Sequence, residues 1–287
     1  MDTFIFPGQG SQRIGMGAEL FDEVDEFHEV EAEIDAMLGY SMRDLCINGS
    51  GGRLSKTEFT QPALYVVNAL HYFAAIAEGK RPKLLAGHSL GEYNALLAAG
   101  VFDFLTGLKL VQKRGEFMSK ASEGGMAAVI GLDSERLVKM LQENGLTGID
   151  VANFNSTKQI VISGPLAEIE RAQKIFEEAG VEMFVQLPVS AAFHSRYMMP
   201  AASEFAEFLE QFAFNEPRLP VISNVTARPY QSGATAVSIK DLLAKQIYSP
   251  VRWTHTVSYL LGRGAHNFHE IGPGGILTRL TDQIRIR

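Results

Sequence analysis

The stretch LLAGHSLGEY, residues 84–93, constrains the fold of this chain more than any other feature. An apolar run typical of a buried strand leads into a G-x-S-x-G turn, and the segment GEYNALLAAG that follows has helical character. The two glycines remove side chains where a strand and a helix pack closely, and the sharp turn presents the hydroxyl of Ser89. The pattern predicts an α/β fold in which Ser89 is either a nucleophile or only a cap of the following helix.

Strand and helix patterns alternate on both sides of this turn. Short apolar runs predict further strands at 3–6, at 219–225 and within HNFHEIGPGG. Amphipathic runs predict helices at 103–120, near 200–212 and in KDLLAKQIYSPVRW, where the helix ends before Pro250. Gly100 is the expected stop of the helix that follows Ser89. Alternation of this kind favours a mostly parallel sheet.

The middle of the chain follows a different order. Its patterns predict a strand, a helix, two strands, a helix and a strand, at 125–132, 134–143, 149–154, 158–164, 166–179 and 181–187. This β-α-β-β-α-β order is the ferredoxin-like split unit. We therefore expect a large subdomain formed by residues 1–124 and 190–287, and a small ferredoxin-like subdomain inserted between them at residues 125–189.

Composition restricts the class of protein. The chain has 287 residues, of which 46% are hydrophobic, and a formal net charge of -7, which argues against a nucleic-acid or membrane partner. Its single cysteine, Cys46, excludes an internal disulfide and fits a reducing compartment. The start MDTFIFPGQGSQ lacks the basic region of a signal peptide, so we expect a cytoplasmic location. The seven histidines show no HExxH motif, so we expect no metal site.

A serine nucleophile needs a base within hydrogen-bond reach and donors for the oxyanion. His88 is adjacent to Ser89, so we expect its side chain to point elsewhere. His194 lies in AAFHS, where the chain returns from the inserted subdomain, and such a loop is a natural place for a site residue. No aspartate is identifiable as the partner of His194, so the residues alone leave the base open between His194 and an ordinary core or surface histidine.

Arg114 lies on the helix predicted at 103–120. At about 100° per residue it falls beside the inward face of that helix. That face is formed by Leu108, Val111, Gly115 and Met118. A charged residue at the edge of a buried face needs a partner. Taken alone, Arg114 is expected to form an ordinary ion pair.

Ten motifs carry a resemblance to a known family. In chain order they are FPGQGSQ, TQPALYVVNAL, GHSLGEYNAL, KRGEFM, GGMAAVIGL, NFNSTKQIVISG, AAFHSRYM, PVISNV, SPVRW and EIGPGG. Together they resemble the malonyl-CoA:acyl carrier protein transacylase family, which includes transacylases of fatty acid synthesis and acyltransferases of polyketide synthesis. The resemblance extends from residue 4 to about residue 281 and implies an α/β-hydrolase-like core with a ferredoxin-like insertion.

The resemblance also implies roles for individual residues. Ser89 matches the serine that becomes acylated, and His194 matches its base. The family orients this histidine through a backbone carbonyl, here that of Gln246, which accounts for the missing aspartate. The backbone N–H groups of Leu90 and Gln9 match the oxyanion hole.

Substrate contacts are implied in the same way. Arg114 matches the arginine that binds the malonyl carboxylate, a task suited to the guanidinium fork. Phe193 lies beside the base and leaves little room for a branched acyl group, a steric preference of about 1–3 kcal/mol. His88 and Gln61 are expected to support the site.

The implied activity is transfer of a malonyl group from malonyl-CoA to the phosphopantetheine thiol of an acyl carrier protein through an acyl-serine. AAFHSRYM is most similar to the discrete polyketide acyltransferases that act in trans, and Ala191 departs from the HAFH form of embedded polyketide domains. No metal or redox cofactor is implied, and a monomer is expected. Candidate contacts for the acidic carrier protein are Arg13, Lys113, Arg196 and Lys245.

Three alternatives remain at this point. The chain is a malonyl transacylase of fatty acid synthesis, a proofreading thioester hydrolase on the same scaffold, or a docking module that has lost activity. Arg114 argues against the hydrolase, since proofreading relatives tend to lack this arginine. The presence of Ser89, His194 and Arg114 together argues against the docking module.

Overall fold

The computed structural model describes residues 1–231 and 236–285 of the chain. The strands are β1 (Asp2–Phe6), β2 (Leu84–Gly87), β3 (Gly124–Ile130), β4 (Asp150–Phe154), β5 (Gln159–Pro165), β6 (Met183–Gln186), β7 (Val221–Ile222) and β8 (Asn267–Glu270). The helices before the small subdomain are α1 (Leu20–Glu23), α2 (Asp25–His28), α3 (Glu31–Leu38), α4 (Met42–Asn48), α5 (Thr57–Ala77), α6 (Gly91–Ala98) and α7 (Phe104–Ser119). The later helices are α8 (Ser134–Glu143), α9 (Leu166–Glu178), α10 (Met199–Leu209), α11 (Ala236–Tyr248), α12 (Trp253–Gly262) and α13 (Ile276–Arg285).

The larger sheet is parallel, as the alternation of strands and helices predicts. Its order is β7-β2-β1-β8, and each neighbouring pair runs in the same direction. Successive residues of β1 pack on opposite faces: Phe4 and Phe6 enter a core shared with α5, α6 and α7, whereas Ile5 packs with residues of α12 and α13. Helices on both faces explain why β2, β7 and the second half of β1 are apolar, whereas the edge strand β8 is mostly polar.

The smaller sheet confirms the ferredoxin-like prediction. Its order is β4-β5-β3-β6, with every pair antiparallel, and the chain passes through β3, α8, β4, β5, α9 and β6 in turn. Leu137 of α8 and Phe176 of α9 pack with Ile162 on one face of this sheet. On the other face, Met126 and Val161 join the core of the larger sheet. The boundaries predicted for the small subdomain, before residue 125 and after residue 189, stay predictions.

Two strands are shorter than predicted by more than one residue. β7 has only two residues because the chain turns directly after it, with the Ser223 N–H donating to the Arg228 carbonyl. β6 covers Met183–Gln186 rather than 181–187. The helix predicted before Pro250 is confirmed as α11, which ends at Tyr248.

The sequence patterns did not predict two helices near the site, α5 and α12. α5 has 21 residues, and every residue from 60 to 70 is buried, so it shows no polar face from which a helical period can be read. The prediction likewise stopped at Pro250 and did not include α12. Among the described residues, no helix is long and apolar enough to cross a membrane.

Glycines let three backbone segments meet at the turn after β2. A Cβ on Gly91 would lie 2.0 Å from the carbonyl oxygen of Phe6, and one on Gly87 would lie 1.9 Å from the carbonyl carbon of Gly91. A Cβ on Gly8 would lie 2.3 Å from the carbonyl oxygen of His88. The G-x-S-x-G spacing therefore reflects backbone packing against the end of β1.

Replacement of Gly91 by alanine tests this packing. The added methyl group meets backbone atoms that cannot move aside, so we expect Gly91→Ala to lower the free energy of unfolding by at least about 1–3 kcal/mol. Thermal denaturation measures the change. Gly262, the last residue of α12, is the matched control, because a Cβ there meets nothing within 4 Å. A Gly91→Ala midpoint as high as that of Gly262→Ala would contradict the account.

Candidate active site

Ser89 occupies the sharp turn between β2 and α6 in a conformation unusual for serine. Its φ is 51°, in the left-handed region, at a cost of about 1–3 kcal/mol for a non-glycine residue. The side chain of Asn224 holds this turn: its oxygen accepts the Ser89 N–H at 2.7 Å, and its amide donates to the Gly87 carbonyl at 2.6 Å. The turn thereby presents the Ser89 hydroxyl to a pocket, as the motif predicts.

His194 lies within hydrogen-bond distance of Ser89, with 2.8 Å between Nε2 and Oγ. Its Nδ1 lies 2.9 Å from the carbonyl oxygen of Gln246 and 3.2 Å from that of Ser249. Because carbonyls only accept hydrogen bonds, Nδ1 carries the proton and Nε2 is left to accept from the serine. A backbone carbonyl thus stands where other serine enzymes use an aspartate.

The surroundings keep His194 neutral. Burial lowers its pKa to about 3, and the positive charge of Arg114 acts in the same direction. Since the imidazole is unprotonated near neutral pH, it is able to take a proton from Ser89.

Arg114 points into the same site from α7 and is 1% exposed. Its guanidinium donates to Gln61 Oε1 at 2.6 Å, to Gln246 Oε1 at 3.0 Å and to Ser89 Oγ at 3.1 Å. Within residues 1–231 and 236–285 it forms no ion pair with a carboxylate, and its Nε has no hydrogen-bond partner. The expectation of an ordinary ion pair is therefore wrong. A buried cation of this kind is suited to an anionic ligand.

A relay of side chains ties Arg114 to the segment after β1. Gln61, whose oxygen accepts from Arg114, donates through its amide to Thr57 Oγ1 at 3.0 Å. Thr57 in turn donates to the side chain of Gln9 at 2.9 Å. The predicted supporting residue Gln61 thus fixes one end of the guanidinium.

The two predicted oxyanion donors lie at the same pocket. Leu90 and Gln9 both line it together with Ser89. The backbone N–H groups of Leu90 and Gln9 donate to no protein group in the part of the chain that the structure describes. Both amides are therefore available for a ligand oxygen, as an oxyanion hole requires.

Two adjacent cavities lie at the site. An inner pocket of about 100 Å³ is lined by Ser89, His194, Arg114 and mostly apolar side chains. An outer cleft of about 580 Å³ lies beside it and shares five of its lining residues, Gln9, Met118, Leu187, Val189 and Phe193. Phe193 is 8% exposed and belongs to these shared lining residues.

His88 lines the inner pocket but turns away from the Ser89 hydroxyl. Its Nε2 lies 2.9 Å from Oδ1 of Asn155, which belongs to the small subdomain. Its ring packs against Trp253 at a centroid distance of 5.8 Å. His88 therefore connects the turn to neighbouring elements.

The four basic residues considered for carrier binding are placed differently. Lys113 pairs with Glu116 at 2.5 Å, and Arg196 pairs with Asp150. Arg13 and Lys245 are exposed. None of these four is among the described residues that line the outer cleft, where Lys56 is the basic residue instead.

The patterns missed three polar residues that hold the site. They are Glu92, Asn224 and Tyr230, all buried and linked by hydrogen bonds. Glu92 stands inside GHSLGE and Asn224 inside PVISNV, so the motifs contained them. Their partners lie more than 100 positions apart in the chain, which no local pattern reveals.

A serine in hydrogen-bond contact with a neutral histidine on an α/β fold is the arrangement of enzymes that form an acyl-serine intermediate. Comparison with known proteins agrees: the chain belongs to the acyl transferase domain family, whose profile matches residues 3–284. The polyketide biosynthesis malonyl CoA-acyl carrier protein transacylase PksC of Bacillus subtilis strain 168 is 53% identical over 287 residues, which cover 99% of this chain and 97% of that protein.

Two solved structures resemble the chain closely. The malonyl CoA-acyl carrier protein transacylase from Burkholderia pseudomallei has a TM-score of 0.94 at 50% identity, over 100% of this chain and 98% of that one. The malonyl-transacylase PlMCAT, solved with the type II polyketide synthase acyl carrier protein AntF, has a TM-score of 0.92 at 39% identity, over 99% of this chain and 92% of that one.

Replacement of the base tests the Ser89–His194 contact. We expect His194→Gln to slow covalent acylation of Ser89 by a thioester by about 10²–10⁴-fold, because no other group takes the serine proton. Time-resolved mass spectrometry of the intact protein measures the rate. His266→Gln, at an exposed histidine, is the control. Equal slowing in both variants, or none in either, would contradict this role.

Proposed function

We propose that this enzyme moves a malonyl group from malonyl-CoA to the phosphopantetheine thiol of an acyl carrier protein through an ester on Ser89. The observation that carries the proposal is the buried Arg114 guanidinium, which touches Ser89 Oγ at 3.1 Å and forms no ion pair with a described carboxylate. A malonyl group on Ser89 brings its free carboxylate to this cation. An acetyl group has no carboxylate that could bind to this guanidinium.

The first half-reaction forms the acyl-enzyme. Ser89 Oγ attacks the thioester carbonyl of malonyl-CoA while Nε2 of His194 takes its proton, along the 2.8 Å contact. The N–H groups of Leu90 and Gln9 stabilise the tetrahedral oxyanion. The carbon–sulfur bond then breaks, and His194 returns the proton to the sulfur of coenzyme A.

The second half-reaction reverses these roles. The carrier thiol enters through the outer cleft, loses its proton to His194 and attacks the Ser89 ester. The ester bond breaks, the proton returns to Ser89 Oγ, and the malonyl group leaves as the carrier thioester. No step requires a metal or a redox cofactor.

The size of the inner pocket favours a small acyl group. Its volume of about 100 Å³ suits a three-carbon chain better than a long fatty acyl chain. Phe193, which lines the inner pocket beside His194, is expected to disfavour a branch on the carbon next to the carbonyl, with a preference of about 1–3 kcal/mol.

Polyketide assembly is the favoured pathway. The relative PksC is named for polyketide biosynthesis, and the match covers 97% of it. The relative PlMCAT was solved with a polyketide carrier protein. We therefore infer that the enzyme serves a polyketide synthase in trans, with the transacylase role in fatty acid synthesis as the alternative. It is expected to work as a cytoplasmic monomer.

Arg114→Ala tests the substrate. Loss of a buried charge-assisted contact costs about 2–5 kcal/mol, so kcat/KM for malonyl-CoA should fall by roughly 30-fold to several thousandfold. The rate with acetyl-CoA should not fall in parallel, since acetyl has no carboxylate. Arg263→Ala, at an exposed arginine, is the control. A parallel fall with both donors would contradict carboxylate binding. Loss of the adduct to water despite a carrier thiol would favour the hydrolase instead.

A further inference from the structure

Glu92 is a buried carboxyl group that the mechanism above does not use. It lies in the first turn of α6 and is fully buried. Its Oε1 accepts from the Tyr230 hydroxyl at 2.7 Å. Its Oε2 accepts from the Asn224 N–H at 3.2 Å and from the side-chain amide of Gln246 at 2.5 Å. Burial of a carboxyl group away from solvent costs free energy, and here three protein hydrogen-bond donors offset part of that cost.

The side chain of Gln246 bridges Glu92 and Arg114. Its nitrogen donates to Glu92 and, at 3.0 Å, to the Ser89 carbonyl, while its oxygen accepts from Arg114 at 3.0 Å. The opposite amide orientation would set the nitrogen against the guanidinium, donor against donor. One amide therefore separates the buried cation from the buried carboxyl group.

The charges of this cluster depend on the acyl group. With the pocket empty, Arg114 and an ionised Glu92 balance each other across Gln246. A malonyl carboxylate on Arg114 adds a second anion, and a buried net charge is costly. Uptake of one proton restores neutrality.

We propose that Glu92 is the counter-charge of Arg114 in the empty site and takes up a proton when a malonyl carboxylate binds to Arg114. The inference rests on the proposed function. Glu92 acts through Gln246 and Arg114, so it is a positioning residue rather than a group that touches substrate. Its proton couples acyl selectivity to pH, because linkage between two sites is reciprocal.

The surroundings place this titration near neutral pH. Burial raises the pKa of Glu92 to about 7, while the hydrogen bonds from Tyr230, Gln246 and Asn224 and the charge of Arg114 oppose the rise. The titratable and charged groups that act on it are Arg114 from α7, Tyr230 after β7 and Tyr93 on α6 itself. A carboxylate on Arg114 offsets that cation, so the pKa of Glu92 rises further when malonyl is bound.

The direction of the pH dependence follows from this rise in the pKa of Glu92. Protonated Glu92 favours the malonyl enzyme, so the ratio of kcat/KM for malonyl over acetyl should be high below pH 7 and fall as the pH rises through and above 7. The ratio changes by about tenfold for each unit by which malonyl raises the pKa. His194 does not produce this change, because its pKa of about 3 keeps it neutral throughout the range in the free enzyme.

The test compares malonyl and acetyl thioesters of N-acetylcysteamine, which carry no titrating phosphate, with the wild-type enzyme between pH 5.5 and 9. Glu92→Gln removes the titration but keeps the shape, so its ratio should be independent of pH and at least as high as the wild-type plateau below pH 7. Tyr230→Phe removes a hydrogen bond that lowers the pKa of Glu92, so the midpoint should move to higher pH. A merely structural role of Glu92 predicts neither result.

Proton uptake provides a measurement that needs no variant. In weakly buffered solution near pH 7, acylation by the malonyl thioester should take up more protons than acylation by the acetyl thioester. A wild-type ratio independent of pH, equal proton uptake, or loss of malonyl preference in Glu92→Gln would overturn the inference while leaving the transferase intact. Absence of any malonyl adduct on wild-type Ser89 would instead overturn the proposed function.

Discussion

The site depends on the close contact between the turn after β2 and the end of β1. The parallel pairing of these strands sets Phe6 opposite Gly87, and the absent side chains of Gly8, Gly87 and Gly91 let the backbones touch. This contact brings the amides of Gln9 and Leu90 to one pocket. Ser89 lies within this turn in the left-handed conformation, with a φ of 51°, and the side chain of Asn224 holds it there through the Ser89 N–H and the Gly87 carbonyl.

Gln246 connects the parts of the site that differ in charge. Its backbone carbonyl accepts from the neutral His194, and its side chain lies between Arg114 and Glu92. A single residue of α11 therefore orients both the base and the cation. Burial, and after it the charge of Arg114, lowers the pKa of His194, and Arg114 forms no direct ion pair with a carboxylate among the described residues. The site before acylation therefore combines an unprotonated base beside Ser89 with a cation that can bind an anion.

Local sequence patterns predicted the helices whose apolar residues repeat regularly, such as α7 and α9. They also predicted the turn at Ser89, because the spacing of its glycines is the one that close backbone packing requires. They missed α5, since a helix buried on nearly all sides shows no period. The partners of Arg114 could not be predicted from position, because Gln61 and Gln246 lie 53 and 132 positions away. Only the resemblance pointed to these residues. The structure brings the site residues together, but their roles stay predictions, namely those of Ser89, His194, Gln246, Gln9, Leu90, Arg114, Phe193, His88 and Gln61.

The most direct test of the central claim is a crystal structure of the enzyme with a malonyl group on Ser89. We expect both carboxylate oxygens to lie within about 3 Å of guanidinium nitrogens of Arg114, the geometry of a bidentate arginine–carboxylate pair. The carbonyl oxygen of the ester should lie within hydrogen-bond distance of the backbone N–H groups of Leu90 and Gln9. A carboxylate directed into the outer cleft, with Arg114 bound only to Gln61 and Gln246, would contradict the account.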